Sequence, residues 1–360
     1  MSASSISIVM DETSETKPYQ TMRGHTNLVN GVAYLADRQW IITCSDDGSL
    51  RLWEQDSGAQ IGNDWRDDED EVGVFTIALS PNGKTVASGS RNGTVKLWDI
   101  ETRNVIAKWT GHSDVIQSVC WSADGGRVAS GSSDGTARVW DVESGEVVLG
   151  PIKTMTVHQP SFILVVAFSP DGSNFATGGS EQDGRTKIWD ASTGKLLSTL
   201  EHDSSVFSLV WTSDQKKLLS GCANGSITIF NTTTWQQIAV LEDHTTTVYA
   251  LSLFRNDRLL ASGSQDKTVR LWNLDTNLPV SLPLGHRCMV YDTAFSPDGR
   301  FLATAGGDGN AYVWDVHTIL QQAGLQHLLS APNVSPRKSI LDVSDILVNF
   351  RLFVTFTSLV

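Results

Sequence analysis

Histidine, hydroxyl and acidic residues recur together along this chain, a combination of side chains that performs nucleophilic catalysis when one of each meets in a site. Six of the eight histidines precede a serine or threonine and then an aspartate or asparagine at similar distances. These histidines are His25, His112, His158, His202, His244 and His286. Because the set recurs in repeat after repeat, we interpret it as a structural hydrogen-bonded network rather than as a catalytic triad.

An aromatic residue completes each set and explains why these types belong together. It lies six residues after the Asp or Asn, and where it is a tryptophan its buried indole N–H can only donate and needs an acceptor. The hydroxyl can accept this bond and donate to the histidine, whose other nitrogen then faces the carboxylate. The predicted tetrads are His25–Thr43–Asp47–Trp53, His112–Ser130–Asp134–Trp140, His158–Thr177–Asp183–Trp189, His244–Ser262–Asp266–Trp272 and His286–Thr304–Asp308–Trp314.

Two repeats depart from this pattern, and their departures are coupled. The second has Asp70 where a histidine is expected and carries the neutral Asn92, whereas the fifth replaces tryptophan by Phe230 and carries Asn224. A buried carboxylate without its partner is costly, so the charge is absent where the network is broken. We predict that repeats 2 and 5 form less rigid units.

The elements that position these residues are short strands. The seven aromatic anchors are spaced by 45, 42, 49, 41, 42 and 42 residues, and turns such as SPNG, SADG and SPDG separate alternating apolar runs such as VASGS and VKLW. Each unit therefore predicts four short strands joined by tight turns. The segments SDDGSLRLWE, SRNGTVKLWD and SSDGTARVWD, with RGHTNLV and TGHSDVI, strongly resemble the WD-repeat family of β-propellers.

The resemblance implies an all-β, seven-bladed WD-repeat β-propeller over residues 17–316. The last repeat lacks a fourth strand, and KPYQTM precedes the first histidine motif. The ring is therefore expected to be closed by the N-terminal strand in the last blade, with Lys17 to Met22 beside Ala311 to Trp314. We expect residues 1–16 to be a flexible segment and 317–360 a non-propeller tail, with a short amphipathic helix over 319–329 and a strand-like pattern over 348–356.

Composition limits the classes of partner and compartment. The 27 basic and 40 acidic residues give a net charge of −13, which disfavours direct nucleic-acid binding and attracts basic partners. The four cysteines form no C-x-x-C pair, which suits a reducing compartment. Residues 1–20 do not resemble a signal peptide, and no apolar stretch is long enough to insert into a membrane. We expect a monomeric propeller in the cytoplasm, the nucleus or both.

The resemblance also suggests which residues surround the mouth of the ring, where members of the family often bind partners. One set follows the first aliphatic residue of each repeat's first strand: Asn30, Phe75, Gln117, Leu164, Phe207, Tyr249 and Tyr291. A second set precedes each turn Asp or Asn: Asp46, Arg91, Ser133, Gln182, Ala223, Gln265 and Gly307. Four of the first seven are aromatic, against 8% in the whole chain, which suggests an anchoring pocket; the alternative is that the rings only pack between blades.

The loop from Asp64 to Glu71 carries six acidic residues and one arginine. The resemblance places it on the same mouth, where it either attracts a basic partner or is a solvated surface loop. The predicted partner-binding residues are therefore Asp46, Asp67, Asp68, Glu69, Asp70, Phe75, Arg91, Phe207, Tyr249 and Tyr291.

The function favoured by the sequence is a non-enzymatic interaction scaffold that binds basic, extended segments of other proteins at the mouth, with no cofactor or metal. One alternative is a substrate adaptor of a ubiquitin ligase, although the Trp-Asp-x-Arg signature of many such adaptors is absent. A propeller enzyme is the other alternative. It requires a cluster of unpaired histidines or acids, and the predicted tetrads leave only His317 and His327 outside the repeats.

Overall fold

Seven β-sheet units, the blades, form the propeller of this protein. The computed structural model describes residues 16–35, 39–67, 72–153, 162–180 and 185–330, and within these ranges the strands form seven antiparallel sheets. The first strands of the sheets are β2 (Val29–Tyr34), β5 (Val74–Leu79), β9 (Ile116–Trp121), β13 (Ile163–Phe168), β17 (Val206–Trp211), β21 (Val248–Leu253) and β26 (Val290–Phe295). Each contacts the next in this order, and β26 contacts β2. The sheets therefore form a closed ring, which confirms the seven-bladed propeller.

The remaining strands follow outward in each blade. The second strands are β3 (Trp40–Ser45), β6 (Thr85–Ser90), β10 (Arg127–Ser132), β14 (Asn174–Gly179), β18 (Lys217–Cys222), β22 (Leu259–Ser264) and β27 (Phe301–Gly306). The third strands are β4 (Leu50–Glu54), β7 (Val95–Asp99), β11 (Thr136–Asp141), β15 (Arg185–Asp190), β19 (Ser226–Asn231), β23 (Thr268–Asn273) and β28 (Asn310–Asp315). The outer strands are β8 (Val105–Trp109), β12 (Val147–Lys153), β16 (Leu196–Glu201) and β20 (Gln237–Glu242).

Blades 1, 6 and 7 have a different outer edge, and that of blade 7 is formed by the N-terminal strand. Blade 1 is completed by two single bridges, Trp53 with Gln60 and Leu50 with Trp65. Blade 6 has two short pieces, β24 (Leu278–Pro279) and β25 (Leu284–Gly285). The segment between them contains Pro283, which has no N–H to donate to a neighbouring strand.

The N-terminal strand closes blade 7, as predicted. Strand β1 (Gln20–Arg23) pairs antiparallel with β28, with Met22 opposite Ala311. The Met22 side chain is 1% exposed and packs in the same apolar cluster as Trp53 and Phe301. The first and last repeats therefore share one core, and the two ends of the propeller are held together by strand pairing and by burial.

Blades 2 to 6 pack closely against the next blade because the second strand of each carries glycine at the contact. A Cβ atom on Gly89 would lie 2.3 Å from a methyl carbon of Ile116 in the next blade, and one on Gly131 would lie 2.6 Å from Ile163. Neither distance is sterically allowed, so the recurring Ser-Gly-Ser and Thr-Gly-Gly runs are a requirement of blade-to-blade contact.

The C-terminal tail begins as part of the core. Helix α1 (Val316–Gln322) starts at Asp315, whose side chain accepts the backbone N–H of Thr318 at 2.9 Å. A 3₁₀ turn (Gln326–Leu329) follows Gly324, whose φ of 68° ends the helix. Ile319 and Leu320 are buried in the same cluster as Trp314. The helix therefore starts earlier and ends sooner than the predicted 319–329, and the strand-like pattern at 348–356 lies outside the described residues.

Candidate functional site

In three blades the four tetrad residues are joined by an unbroken series of hydrogen bonds, as blade 1 illustrates. The indole of Trp53 donates to the Thr43 hydroxyl at 2.8 Å, this hydroxyl lies 2.7 Å from His25 Nε2, and His25 Nδ1 lies 2.9 Å from Asp47. Because the hydroxyl already accepts from the indole, its proton donates to Nε2, and Nδ1–H donates to the carboxylate. Blade 3 (His112, Ser130, Asp134, Trp140) and blade 6 (His244, Ser262, Asp266, Trp272) repeat this geometry with distances of 2.7–2.9 Å.

The carboxylates of these tetrads are held in the charged form. Burial alone would raise the pKa of Asp134, but hydrogen bonds from His112 and Thr136 outweigh it and hold the pKa well below its usual range. The backbone N–H of Ser113 donates to the same carboxylate at 3.1 Å. Both histidine nitrogens are engaged and the hydroxyls of Thr43, Ser130 and Ser262 are fully buried, so these side chains brace the loop before the first strand.

Blade 4 is described in part. The Trp189 indole donates to Thr177 at 2.9 Å, while His158 and Asp183 lie outside the described residues. In blade 5, His202 lies 3.0 Å from the Thr186 hydroxyl of blade 4 and packs edge-on against Phe230. Burial lowers the pKa of His202 to about 4, so this histidine is neutral at pH 7.

Blade 7 corrects one predicted contact. Asp308 does not bind His286. It accepts a hydrogen bond from the Tyr312 hydroxyl of its own blade, and His286 Nδ1 instead donates to the carbonyl of Leu284 at 3.2 Å. The other half of the tetrad is present, with His286 Nε2 2.9 Å from Thr304 and the Trp314 indole 3.2 Å from the same hydroxyl. The cause is Tyr312, whose O–H can compete for the carboxylate.

Blade 2 contains a buried ion pair that the sequence interpretation missed. Lys96 on β7 is 2% exposed, and its Nζ lies 2.8 Å from the carboxylate of Asp67, which is 7% exposed. Lys108 on β8 lies 2.9 Å from the other oxygen of Asp67. The blade without a tetrad histidine therefore has a different charged network, which argues against the expectation that it is poorly braced. The placement also corrects the prediction that Asp67 faces a partner, because both of its oxygens are already paired.

Replacing the tetrad carboxylate in blade 3 should be more damaging than replacing the amide in blade 2. Asp134→Ala leaves His112 Nδ1 without its acceptor in a buried site, and we expect a loss of about 1–3 kcal/mol in the free energy of unfolding. Asn92 is exposed and faces no histidine of its repeat, so Asn92→Ala should cost clearly less. Denaturant melts of the two variants measure the difference, and equal losses would contradict the special role of the blade 3 network.

The mouth of the ring is positioned by a feature common to all seven blades. In every first strand the pairing with the second strand slips by one residue between the first and third positions, as between Val206 and Ser208. The second residue is thus the extra residue of a β-bulge, which turns its side chain away from the regular pleat. These seven residues are the predicted set: Asn30, Phe75, Gln117, Leu164, Phe207, Tyr249 and Tyr291.

All seven bulge residues line one cavity of about 660 Å³ at the centre of the ring. On one side, Phe207, Tyr249 and Tyr291 form what we call the aromatic arc. The rings of Phe207 and Tyr249 meet edge to face with centroids 5.4 Å apart, and those of Tyr249 and Tyr291 are tilted at the same separation. Each side chain is partly exposed, so the arc presents apolar area to the cavity.

On the opposite side of the mouth, the polar and charged side chains pair with one another. Arg91 makes a two-pronged ion pair with Asp46, at 2.8 and 2.5 Å, and its guanidinium lies 5.3 Å from the centroid of the Phe75 ring. The Asn30 amide donates to the same carboxylate at 2.9 Å. Asp46 and Phe75 are therefore already occupied by Arg91, which corrects the expectation that they are available to a basic partner.

One carboxyl group lies in the wall of the cavity beside the aromatic arc. Asp292 follows Tyr291 on β26, and its oxygens accept the backbone N–H groups of Val32 at 2.9 Å and Thr293 at 2.8 Å. Desolvation raises its pKa to about 7 against the effect of these two bonds. Asp68, Glu69 and Asp70 of the acidic loop lie outside the described residues.

Comparison with known proteins decides the family. Seven consecutive segments match the family described as WD domain, G-beta repeat: residues 16–54, 68–99, 103–141, 149–190, 194–231, 235–273 and 279–315. The chain belongs to the WD-repeat family. Each matched segment ends at the end of a third strand of this WD-repeat propeller, or within a residue of it.

Three relatives are distantly similar to this WD-repeat protein. It is 25% identical over 232 residues to Autophagy-related protein 16 of Arabidopsis thaliana, which covers 62% of this chain and 43% of that protein. It is 26% identical over 180 residues to Target of rapamycin complex subunit wat1 of Schizosaccharomyces pombe, covering 49% of this chain and 55% of that protein. A third relative, human WD repeat-containing protein 43, is 32% identical over 96 residues, which is 27% of this chain and 13% of that protein. The chain thus spans little more than half, or less, of these relatives' lengths.

Among the described residues of this WD-repeat protein, no helix has both the length and the apolar character that a membrane span requires.

Proposed function

We propose that this WD-repeat protein is a non-enzymatic scaffold whose mouth binds extended, basic segments of partner proteins. The observation that carries the proposal is the aromatic arc beside Asp292 in a cavity of about 660 Å³. Two of the relatives are named as a complex subunit and as an autophagy-related protein, which supports a role in protein assemblies.

The arc offers what a lysine or arginine side chain needs. Aromatic faces attract a cation and cover its aliphatic stem, and Tyr249 and Tyr291 stay neutral because burial raises the pKa of each phenol. Asp292 supplies a carboxylate in the same cavity. These groups come from neighbouring blades on a rigid ring, so little ordering is required when the partner binds.

The charge of the whole chain supports the sign of the partner. The net charge of −13 attracts basic segments over a distance of about one Debye length. The acidic residues at the mouth attract a basic partner less than the sequence predicts, because Asp46 and Asp67 are paired within the protein. Long-range attraction should therefore speed encounter, whereas the arc should determine how long the complex lasts.

Several features support a binding role over catalysis and a role inside the cell. Both nitrogens of His25, His112 and His244 are hydrogen-bonded within the protein. The four cysteines are unpaired thiols, which suits a protein of the cytoplasm, the nucleus or both. The propeller is proposed to act as a monomer, since its strands close on themselves.

Removing one ring of the arc should weaken binding of a basic peptide through faster dissociation. Phe207→Ala deletes the edge-to-face contact with Tyr249 and the apolar surface beneath a bound side chain, so we expect a loss of about 1–2 kcal/mol in binding free energy. Surface plasmon resonance with an extended Lys- and Arg-containing peptide, and with the same peptide with those residues replaced by Gln, measures the effect.

The matched control is Phe162→Ala, which removes a ring of the same type that is 42% exposed and lies outside the mouth cavity. The control should bind the basic peptide as the parent protein does. If Phe207→Ala binds as tightly as the control, or if the Gln peptide binds as well as the basic one, the mouth does not recognise basic segments.

A further inference from the structure

A second cavity lies in blade 7, where the third strand carries a tyrosine at a position that is arginine in blades 1, 3 and 6. In blade 1 the third-strand Arg51 covers the glycine before the tetrad histidine, and its Nη1 would lie 2.7 Å from a Cβ atom on Gly24. In blade 3 the equivalent Arg138 donates to the Gly111 carbonyl at 2.8 Å. The arginine thus fills the space between the outer part of the blade and the loop that carries the histidine.

Blade 7 has Tyr312 at this position, and the space is open. The Tyr312 hydroxyl turns to Asp308, and no atom lies within 4 Å of the place that a Cβ on Gly285 would take. What remains is a cavity of about 320 Å³ between β1, β28 and the loop around His286. Its lining residues include Thr21, Arg23, Arg287 and Asn310.

The groove carries positive charge that the described residues do not neutralise. Arg23 and Arg287 both line it, and within the ranges that the structure describes neither guanidinium lies within 4.0 Å of a carboxylate. Several other arginines of the described chain, such as Arg103, Arg255 and Arg300, also have no carboxylate at this distance, but Arg23 and Arg287 are the two that border this cavity.

The neighbouring groups add hydrogen-bonding capacity, and the Asp308 carboxylate, bonded to Tyr312, adds one negative charge beside the groove. Burial lowers the pKa of His286 to about 4, so its ring is neutral, and both of its nitrogens are engaged with Leu284 and Thr304. Asn310 and Thr21 also line the cavity. The two guanidiniums outweigh the single carboxylate of Asp308, so the groove has a net positive charge.

We propose that this blade 7 groove, lined by Arg23 and Arg287, binds a phosphate monoester carried on a serine or threonine of a partner protein. Guanidinium groups bind phosphate oxygens in pairs of parallel hydrogen bonds, and a phosphate monoester carries the nearly double negative charge that two of them match. A peptide carrier fits the location, because β1 is the outermost strand of its sheet in the described structure and leaves one edge for an extended segment. This site is separate from the mouth and does not depend on the function proposed for it.

The test uses a short Gly/Ala peptide with one phosphoserine, its serine and glutamate counterparts, and inorganic phosphate. Binding is followed by the NMR resonance of the Trp314 indole, which borders the groove, and by the ³¹P resonance of the ligand. We expect the phosphoserine peptide to bind about tenfold or more tightly than the serine peptide and to shift the Trp314 signal.

Two variants distinguish a loss of binding at the groove from the effects of a changed net charge and of misfolding. Arg23→Gln with Arg287→Gln should lower affinity for the phosphopeptide about tenfold. Arg287→Gln alone, which leaves strand β1 unchanged, should lower the affinity by a smaller factor. The matched control is Lys84→Gln with Lys195→Gln, which removes the same charge from exposed positions outside the groove and should change little. Equal loss in the control, no preference for the phosphopeptide over the serine peptide, or inorganic phosphate binding as tightly as the phosphopeptide would overturn the proposal.

Discussion

Deletion of residues 1–22 should open the ring and lower the stability of the protein by several kcal/mol. It removes most of strand β1, exposes the edge of β28, and takes the buried Met22 out of the core that it shares with Trp53. Loss of one buried methionine side chain alone costs about 2–5 kcal/mol. Thermal melts and light scattering should show a lower melting temperature and association through the exposed edge.

The matched control for this truncation is deletion of residues 1–12, which leaves β1 in place. We expect it to melt like the full chain and to stay monomeric. Met22→Ala supplies an intermediate case, because it keeps the strand pairing and loses only the buried side chain. If both truncations melt alike and remain monomeric, the N-terminal strand does not hold the ring closed.

A single substitution that breaks the buried ion pair of blade 2 should strongly destabilise the protein. Asp67→Ala removes the carboxylate that lies 2.8 Å from Lys96, which is 2% exposed, and removal of one partner of a buried pair costs about 3–5 kcal/mol. Lys108 lies nearer to solvent, with a side chain 34% exposed, and can be hydrated after the change. Denaturant unfolding measures the loss.

A double-mutant cycle identifies the source of that loss. Lys96→Met restores neutrality, so the pair Asp67→Ala with Lys96→Met should be less destabilised than the sum of the two single variants. Lys216→Ala, which breaks the exposed pair with Asp214, should cost less than about 1 kcal/mol. Additive effects in the cycle would mean that the contact between Lys96 and Asp67 does not stabilise blade 2.

The ring and its closure could be predicted from the sequence because they depend on repeated local patterns. Spacing of the aromatic anchors determined the blade boundaries, and the missing fourth strand of repeat 7 identified the segment before His25 as its completion. The mouth residues could be located for the same reason, since a β-bulge at a constant position puts the same register position of every blade into the cavity.

Contacts made by single, non-repeated residues could not be predicted in the same way. Asp67 appears in the sequence as one acid among many, and only the fold brings it to Lys96. The signal that could have identified the pair is a lysine on β7, the third strand of the repeat that has no histidine. In blade 7, the substitution of Tyr312 for the usual third-strand residue was visible in the sequence, but its consequence for Asp308 and for the groove beside it required three-dimensional placement.

Photocrosslinking from the mouth tests the scaffold proposal most directly. Benzoylphenylalanine is placed at Tyr249 in the aromatic arc, or at Val148 on the outer strand of blade 3, which is 51% exposed, and the protein is irradiated in its native cell. We predict that crosslinks from position 249 join partner segments rich in Lys or Arg, and that adding Phe207→Ala reduces them. Partner crosslinks that appear equally from position 148, or only from there, would show that partners bind the sides of the propeller instead of its mouth.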